Sequence, residues 1–346
     1  MYTEEEKKKA ISSGTYIFNE VYRKNISEEA FSHKHFGNPF CTEIPYIIDF
    51  IDEKPSVMRW MMGMDMVCGD KKIKAVQSSD DAALPEVRGL AFIKIRKASE
   101  KIMKSENTDF VYGCFYPGNA MEIAEKFGEK NIVNLYTAKL PLNESVYRWK
   151  RFNIPICKPI SRIRAKKHIK NLQKLSLYSD NNVVVSNTCP FAEEDYTTIN
   201  TGTALRVTRS KEYYAWKFAK INSADISYIT TRKNGNLTGF AIVKKEETED
   251  VIIDWDVFEG SYEKKLSTLA MIISKSCNGN KCISAPSLNP ENGELKLFLD
   301  LGFKDMRLQK APVCICAKAF NKEISEIINN SENWKHRFID ADYFLN

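Results

Sequence analysis

Apolar residues recur along this chain at two competing spacings, and the spacing changes from one short segment to the next. Residues 3–25 carry Ile11, Phe18, Val21 and Tyr22 on one broad side and read as a helix, weakened by Gly14. Ser27-Glu28-Glu29 supplies a cap and first-turn acids for a second, short helix, which Asn38-Pro39 stops. Residues 45–52, 56–66 and 72–84 read as strands, the second broken at Gly63. Helical spacing returns over 88–105 through Phe92, Ile95, Ile102 and Met103. A short buried strand at 110–115, a helix at 120–126 stopped by Gly128 and a closing strand region at 131–142 complete this half. Further on, a strand at 183–185 and a helix at 190–200 precede two strands, 226–232 and 237–244, whose Asn234-Gly235 turn is a strong hairpin signal. A strand at 251–257, a helix at 264–276, a strand at 281–285, a helix at 293–301 and a last strand at 314–320 follow. Helices interleaved among strands predict an α/β layout, an α+β mixed sheet.

One junction in this pattern carries chemistry. Residues 73–84 read as a strand and 88–105 as a helix, with Pro85-Glu86-Val87-Arg88-Gly89 between them. The first amides of a helix lack intrahelical partners and carry the positive end of its dipole, so a glycine-containing turn before them can hold a pyrophosphate. An ordinary turn before an ordinary helix has the same appearance.

Composition narrows the class. With 346 residues, 43% hydrophobic and 28% charged, the chain fits two globular domains and is not disordered or fibrous. No apolar run reaches the ~20 residues needed to cross a bilayer and the first residues lack a signal-peptide pattern, so a cytoplasmic protein is expected. Nine cysteines without a CxxC pair suit a reducing compartment, and Cys314-Ile315-Cys316 reads as alternate positions of a strand. His33 and His35 have no further ligand cluster nearby, so no metal site is expected. The formal charge of +6 is unevenly placed: residues 148–174 hold ten Lys or Arg and no acid, which leaves about −4 elsewhere. Within that segment a basic amphipathic helix starts at Pro159-Ile160-Ser161. Such a helix can solvate an interdomain linker, lie on an anionic membrane or bind phosphates. It has no interleaved aromatic platform for single-stranded nucleic acid, and no DNA partner is expected.

The two halves repeat. Phe31-Ser32-His33-Lys34-His35-Phe36 stands against Tyr214-Ala215-Trp216-Lys217-Phe218, and the segment from Asn119 to Gly128 stands against that from Asn292 to Phe303. With the strand order between these anchors also shared, the chain divides into an N-terminal unit (1–147), a basic linker (148–182) and a C-terminal unit (183–346). On these aromatic-Lys-aromatic boxes, the Pro85–Gly89 turn and the Asn-initiated helices, the sequence resembles the GCN5-related N-acetyltransferase (GNAT) superfamily in a tandem arrangement with a degenerate second half. The resemblance implies two splayed mixed sheets flanked by helices, with acetyl-CoA or another acyl-CoA as co-substrate in the first. It also implies a cofactor contact formed by Ala83, Leu84, Arg88, Gly89, Leu90, Ala91, Phe92, Ile93 and Asn119. There are departures. The family loop, Arg/Gln-x-x-Gly-x-Gly/Ala, is replaced by Arg88-Gly89-Leu90-Ala91-Phe92-Ile93, and the family's acidic tyrosine is replaced by Ala124 and Phe298. In the second half Asp256, Glu259 and Glu263 stand where phosphate would sit, and like charges repel there.

Acyl transfer to an amine requires an oxyanion donor, a base and a proton for the leaving thiolate. Backbone amides near Ala83 and Leu84 are the candidate donors. Asp80 and Asp81, on opposite faces of one strand, supply the candidate base, and Tyr116 the candidate acid. The expected function is N-acyl transfer from acyl-CoA to an amine of a small molecule or peptide by direct attack in a ternary complex. The alternatives are a Fem-like aminoacyl-tRNA-dependent transferase and a non-catalytic acyl-CoA or partner-binding module; the oligomeric state is not legible.

Overall fold

The computed structural model describes residues 3–40, 46–87, 89–142, 148–149, 154–155, 158–247, 249–277 and 282–345. Two capped helices open the chain. Thr3 accepts the Glu6 amide and Glu6 accepts that of Thr3, a reciprocal box that starts α1 (Glu4–Tyr22), while Ser27 accepts from Ala30 at the start of α2 (Glu28–Phe36). Then come β1 (Tyr46–Ile51), β2 (Lys54–Cys68), β3 (Lys71–Ala83), α3 (Leu90–Ser105), β4 (Phe110–Phe115), α4 (Asn119–Lys126) and β5 (Lys130–Leu140). Gly63 does not break β2, which runs through it unbroken; its carbonyl accepts Asn38 Nδ2 at 2.7 Å. The short pair β6 (Arg148–Trp149) and β7 (Ile154–Pro155) leads to the basic helix α5 (Lys158–Ser176).

The second half repeats the order: β8 (Asn182–Ser186), α6 (Glu193–Asn200), β9 (Arg206–Val207), α7 (Lys211–Phe218), β10 (Ile226–Lys233), β11 (Asn236–Lys245), β12 (Glu249–Val257), α8 (Tyr262–Ser276), β13 (Cys282–Leu288), α9 (Glu294–Asp300), β14 (Lys304–Asp305), β15 (Val313–Ala319) and α10 (Lys322–Ile328). Asn234 and Gly235, both at positive φ, make the β10–β11 turn.

Strands from both halves of the chain join one sheet. Among the described residues one sheet runs β1-β2-β3-β4-β15-β5-β13-β12-β11-β10-β8. The last strand, β15, lies between β4 and β5 of the first half, antiparallel to both. In return β5, expected to close its own half, continues past Leu135, and Tyr136–Leu140 pair with β13, with β14 also on this segment. Each half thus completes its sheet with a strand of the other. Cys314, Ile315 and Cys316 are all buried, because β15 is covered on both faces and not on one.

A second junction binds the repeated boxes. His33 Nε2 lies 2.9 Å from the Trp216 carbonyl, and Trp216 Nε1 donates to the His33 carbonyl at 3.1 Å, so α2 and α7 meet through equivalent residues. The equivalent lysines, Lys34 and Lys217, are each about 1% exposed. His33 and His35 are therefore packing and hydrogen-bonding residues in this fold.

Candidate functional site

The site is built by a sheet that opens. β3 and β4 pair in parallel at only three positions, Ala75–Phe110, Val76–Val111 and Gln77–Tyr112, and then diverge. Two irregularities turn β3 away. Its register with β2 shifts between Met58 and Trp60, and Asp80 adopts φ +49°, a left-handed conformation uncommon for a residue with a side chain. Asp80 is held there by α2: Lys34 Nζ lies 2.9 Å from its carboxylate and His35 Nε2 2.8 Å from Oδ2. Burial alone would raise this carboxyl, but the Lys34 ammonium and the His35 hydrogen bond overturn that and hold it well below the usual carboxylate range. Burial also lowers His35, which stays neutral and donates its Nε2–H. Asp80 is thus a structural anion, poorly suited to accept a proton.

Asp81 points to the other face. Its Oδ2 accepts from Arg59, from Arg96 at 3.4 Å and from Ser78 at 3.3 Å, while Oδ1 is buried without a hydrogen-bond partner. Burial raises its carboxyl despite the two guanidinium groups. Of the two aspartates named from the sequence, Asp80 is pushed below the ordinary carboxyl range and Asp81 above it.

The divergence leaves two cavities that share Tyr22 and Asp81. One, of about 660 Å³, lies between the end of β3 (Ala82, Ala83), the start of α3 (Gly89, Phe92) and α4 (Ile123, Phe127). The other, of about 550 Å³, lies between Ser78, Phe18, Cys114, Tyr116 and Asp342. Tyr22 donates to the Asp81 carbonyl at 2.9 Å and marks their boundary.

At the first cavity, Gly89 caps α3 with φ +104°, and no side chain caps the helix. The first helical bond is Ile93 N–H to the Gly89 carbonyl, so the amides of Leu90, Ala91 and Phe92 precede the ladder. No acid occupies the first turn, Lys97 and Lys126 line the same cavity, and a Cβ at Gly89 would meet nothing within 4 Å. These features suit an anion. Ala91 and Phe92 pack on Val57 and Ala83, and Leu90 is exposed. Arg88 lies outside the described residues. Asn119 starts α4 behind Gly118 and is exposed.

The two amides named as oxyanion donors differ. Leu84 N–H donates to the Ser56 carbonyl at 2.9 Å and is committed to the sheet. That makes Ser56–Leu84 a hydrogen-bonded pair, and the alternation of an antiparallel ladder then turns the Ala83 N–H away from β2, toward the opening. Tyr116, at the end of β4, is half exposed and faces the second cavity. Ala124, where the sequence resemblance leads one to look for an acidic tyrosine, is fully buried, so no acid reaches the cleft from there.

Residues that the sequence did not single out also meet here. Cys114 Sγ lies 3.2 Å from His336 Nε2, and Gln77 Nε2 lies 3.6 Å from the same sulfur. Burial raises the thiol well above its usual range and lowers His336 to about 4. The pair is a neutral thiol on a neutral imidazole, not an ion pair poised for attack.

The second half has the same opening and has partly filled it, leaving a cavity of about 320 Å³ lined by Asp256, Tyr262, Lys265, Asn292 and Lys335. β12 and β13 pair only from Glu249–Cys282 to Val251–Ser284. Beyond that, the C-terminal segment crosses the gap: Arg337 Nε donates to the Trp255 carbonyl on β12 at 2.9 Å, Arg337 Nη2 pairs with Glu294 of α9 at 2.8 Å, and Asn289, after β13, donates to the Trp334 carbonyl at 2.9 Å. Asp254, at the position equivalent to Asp80, is held by Arg209 at 2.8 Å and Tyr214 at 2.9 Å, and Asp256 by Arg206 at 2.7 Å and Lys335 at 2.5 Å. Ser261 caps α8 by accepting the Lys264 amide, with Glu263 in the first turn. An anion has no uncapped helix start to meet here.

No family model and no curated protein matches the chain. Solved structures do match its fold. A GCN5-related N-acetyltransferase from Anabaena variabilis superposes with a TM-score of 0.62 at 10% identity, over 90% of this chain and 71% of that one. One from Kribbella flavida gives 0.59 at 8% identity, over 90% and 69%. A tandem GNAT protein from the clavulanic acid biosynthesis pathway gives 0.51 at 8% identity, over 91% and 96%. The chain has the tandem GNAT fold.

Proposed function

We propose that this chain with a tandem GNAT fold is an N-acyltransferase that takes an acyl group from acyl-CoA in the opening of its first half and passes it to an amine. The observation that carries the reading is the contrast between the two openings. In the first, the uncapped start of α3 faces a cavity of about 660 Å³ with Lys97 and Lys126 on its wall. In the second, the chain's own Trp334, Arg337 and Asp340 occupy the space between the diverging strands. A helix start without a side-chain cap or a first-turn acid faces the cavity in the first opening and not in the second.

Acyl-CoA supplies the thioester. In this reading the α3 amides and the two lysines hold its pyrophosphate, and the Ala83 amide faces the thioester oxygen. Asp81 takes a proton from the attacking amine and Tyr116 returns one to the departing thiolate. Acceptors enter through the second cavity, past Phe18 and Asp342. A non-catalytic acyl-CoA-binding protein is the second reading, favoured by the fully buried Ala124 where the sequence resemblance leads one to look for an acid.

The test is thermal stability with acetyl-CoA and longer acyl-CoAs, since a ligand that binds the native state raises the midpoint by mass action. No shift with any acyl-CoA refutes the proposal. A shift with turnover on an amine panel that Asp81→Asn abolishes without abolishing the shift supports it. A shift without turnover in the wild-type chain supports the second reading.

A further inference from the structure

The basic segment is not used by this chemistry, and its structure points elsewhere. α5 has 19 residues, about 28 Å of helix, and lies on α8 of the second half. Ala165 and Leu172 are buried in the second-half core, with Ile169 and Leu175 partly so. At 100° per residue, Ile163, Lys167, Lys170 and Lys174 fall within about 40° of one line on the opposite face, and Leu177 follows one residue past the helix end. All five are exposed. Ile163 is 67% exposed at one end of the line, and Leu177 and Tyr178 are 82% and 74% exposed at the other. Between these apolar ends stand the three lysines, with Lys166 beside them. Among the described residues none of the four ammonium groups has a carboxylate partner within 4 Å, and residues 148–174 contain no acid at all.

A solvated linker helix has no reason to place its large apolar side chains on the outward face, and a nucleic-acid backbone has no use for Ile or Leu. Apolar anchors flanking a basic stripe match a bilayer surface, where hydrocarbon lies beneath anionic headgroups. We infer that the outward face of α5 docks the protein on an anionic membrane surface, with Ile163, Leu177 and Tyr178 as anchors and Lys166, Lys167, Lys170 and Lys174 contacting the headgroups. This inference is independent of the acyl-CoA reading.

Co-sedimentation of the full chain with vesicles tests it. The wild type is expected to bind vesicles of phosphatidylcholine with phosphatidylserine and not phosphatidylcholine alone, and to be released by high salt. Lys167→Gln/Lys170→Gln/Lys174→Gln should weaken partitioning about a hundredfold, from about a factor of five per lysine. Ile163→Ser/Leu177→Ser/Tyr178→Ser should weaken it at least about tenfold, since each anchor contributes apolar area. Both variants alter exposed positions, and unchanged melting of each confirms an intact fold. Absence of binding to the anionic vesicles overturns the inference. So does binding lost with the lysines but indifferent to the apolar triple, or retention of tRNA with no retention of vesicles, both of which would mark a general polyanion contact.

Discussion

Lys34→Met tests the claim that a buried ion pair shapes the opening of β3. The Lys34 and Asp80 side chains are 2% and 4% exposed, so water cannot take the place of the lost ammonium. Removing one partner of such a pair costs about 3–5 kcal/mol, because the remaining charge is left in the interior. Unfolding entropy of about 2.1 cal/mol/K per residue gives this chain roughly 0.7 kcal/mol/K, so the midpoint should fall by about 4–7 °C if it melts as one unit. The sign with pH follows from the depressed Asp80 carboxyl: its contribution is fully present above the unfolded value of about 3.9 and is lost as pH falls below it. The gap between wild type and variant should therefore close in acid. Lys34→Met/Asp80→Asn removes both charges, and Asn tolerates the left-handed backbone at position 80, so the double variant should recover most of the loss. Circular-dichroism melts from pH 3 to pH 7 supply the readout. A Lys34→Met variant that melts within about a degree of wild type at neutral pH, or a double variant no better than the single one, refutes the argument.

Other outcomes follow from the same structure. Gly89→Val places a branched side chain at φ +104° in open space, so it should cost about 1–3 kcal/mol of backbone strain and abolish the acyl-CoA melting shift by crowding the α3 amides. Arg337→Ala strands Glu294 in the plug of the second opening and should destabilise by about 3–5 kcal/mol, seen in denaturant titration, with the acyl-CoA shift of the first opening retained. Burial depresses Lys217 to about 7, so its folding penalty is complete below pH 7 and fades as pH rises toward its unfolded value near 10.4. Lys217→Met should accordingly be at least as stable as wild type at pH 7, with that advantage shrinking by pH 10; a large loss at pH 7 would show that the ammonium is held by Asp340 and Asp342 more strongly than burial opposes it.

Local signals were readable from the chain. Ser27 caps a helix, Asn234-Gly235 turns a hairpin, and the 73–95 stretch is a strand followed by a helix, because each depends on neighbours within a few residues. The repeat was readable too, since Lys34 and Lys217 sit in matching boxes and meet in space through His33 and Trp216. Exchange of β5 and β15 was not readable: an apolar strand has the same pattern whichever neighbour it pairs with. Nor was the plug, because Arg337 finds Glu294 and Trp255 only after the sheet has formed, and nothing in residues 331–341 marks them as filling a cleft. The left-handed Asp80 was hidden for a related reason, its conformation being imposed by Lys34 and His35 from a helix 45 residues away.

Exchange of strands also has a consequence in time. On the ribosome, β4 and β5 emerge long before the strand that belongs between them, with roughly 170 residues separating the end of β5 from the start of β15. At about 5–20 residues per second, the nascent first half waits on the order of ten to thirty seconds with two unpaired strand edges. Until release, those edges are templates for a neighbouring nascent chain on the same message, and a β15 supplied in trans would close them equally well. The protein's yield in cells should thus be sensitive to polysome density and to the speed of translation across its last third, even though the finished molecule leaves neither edge open.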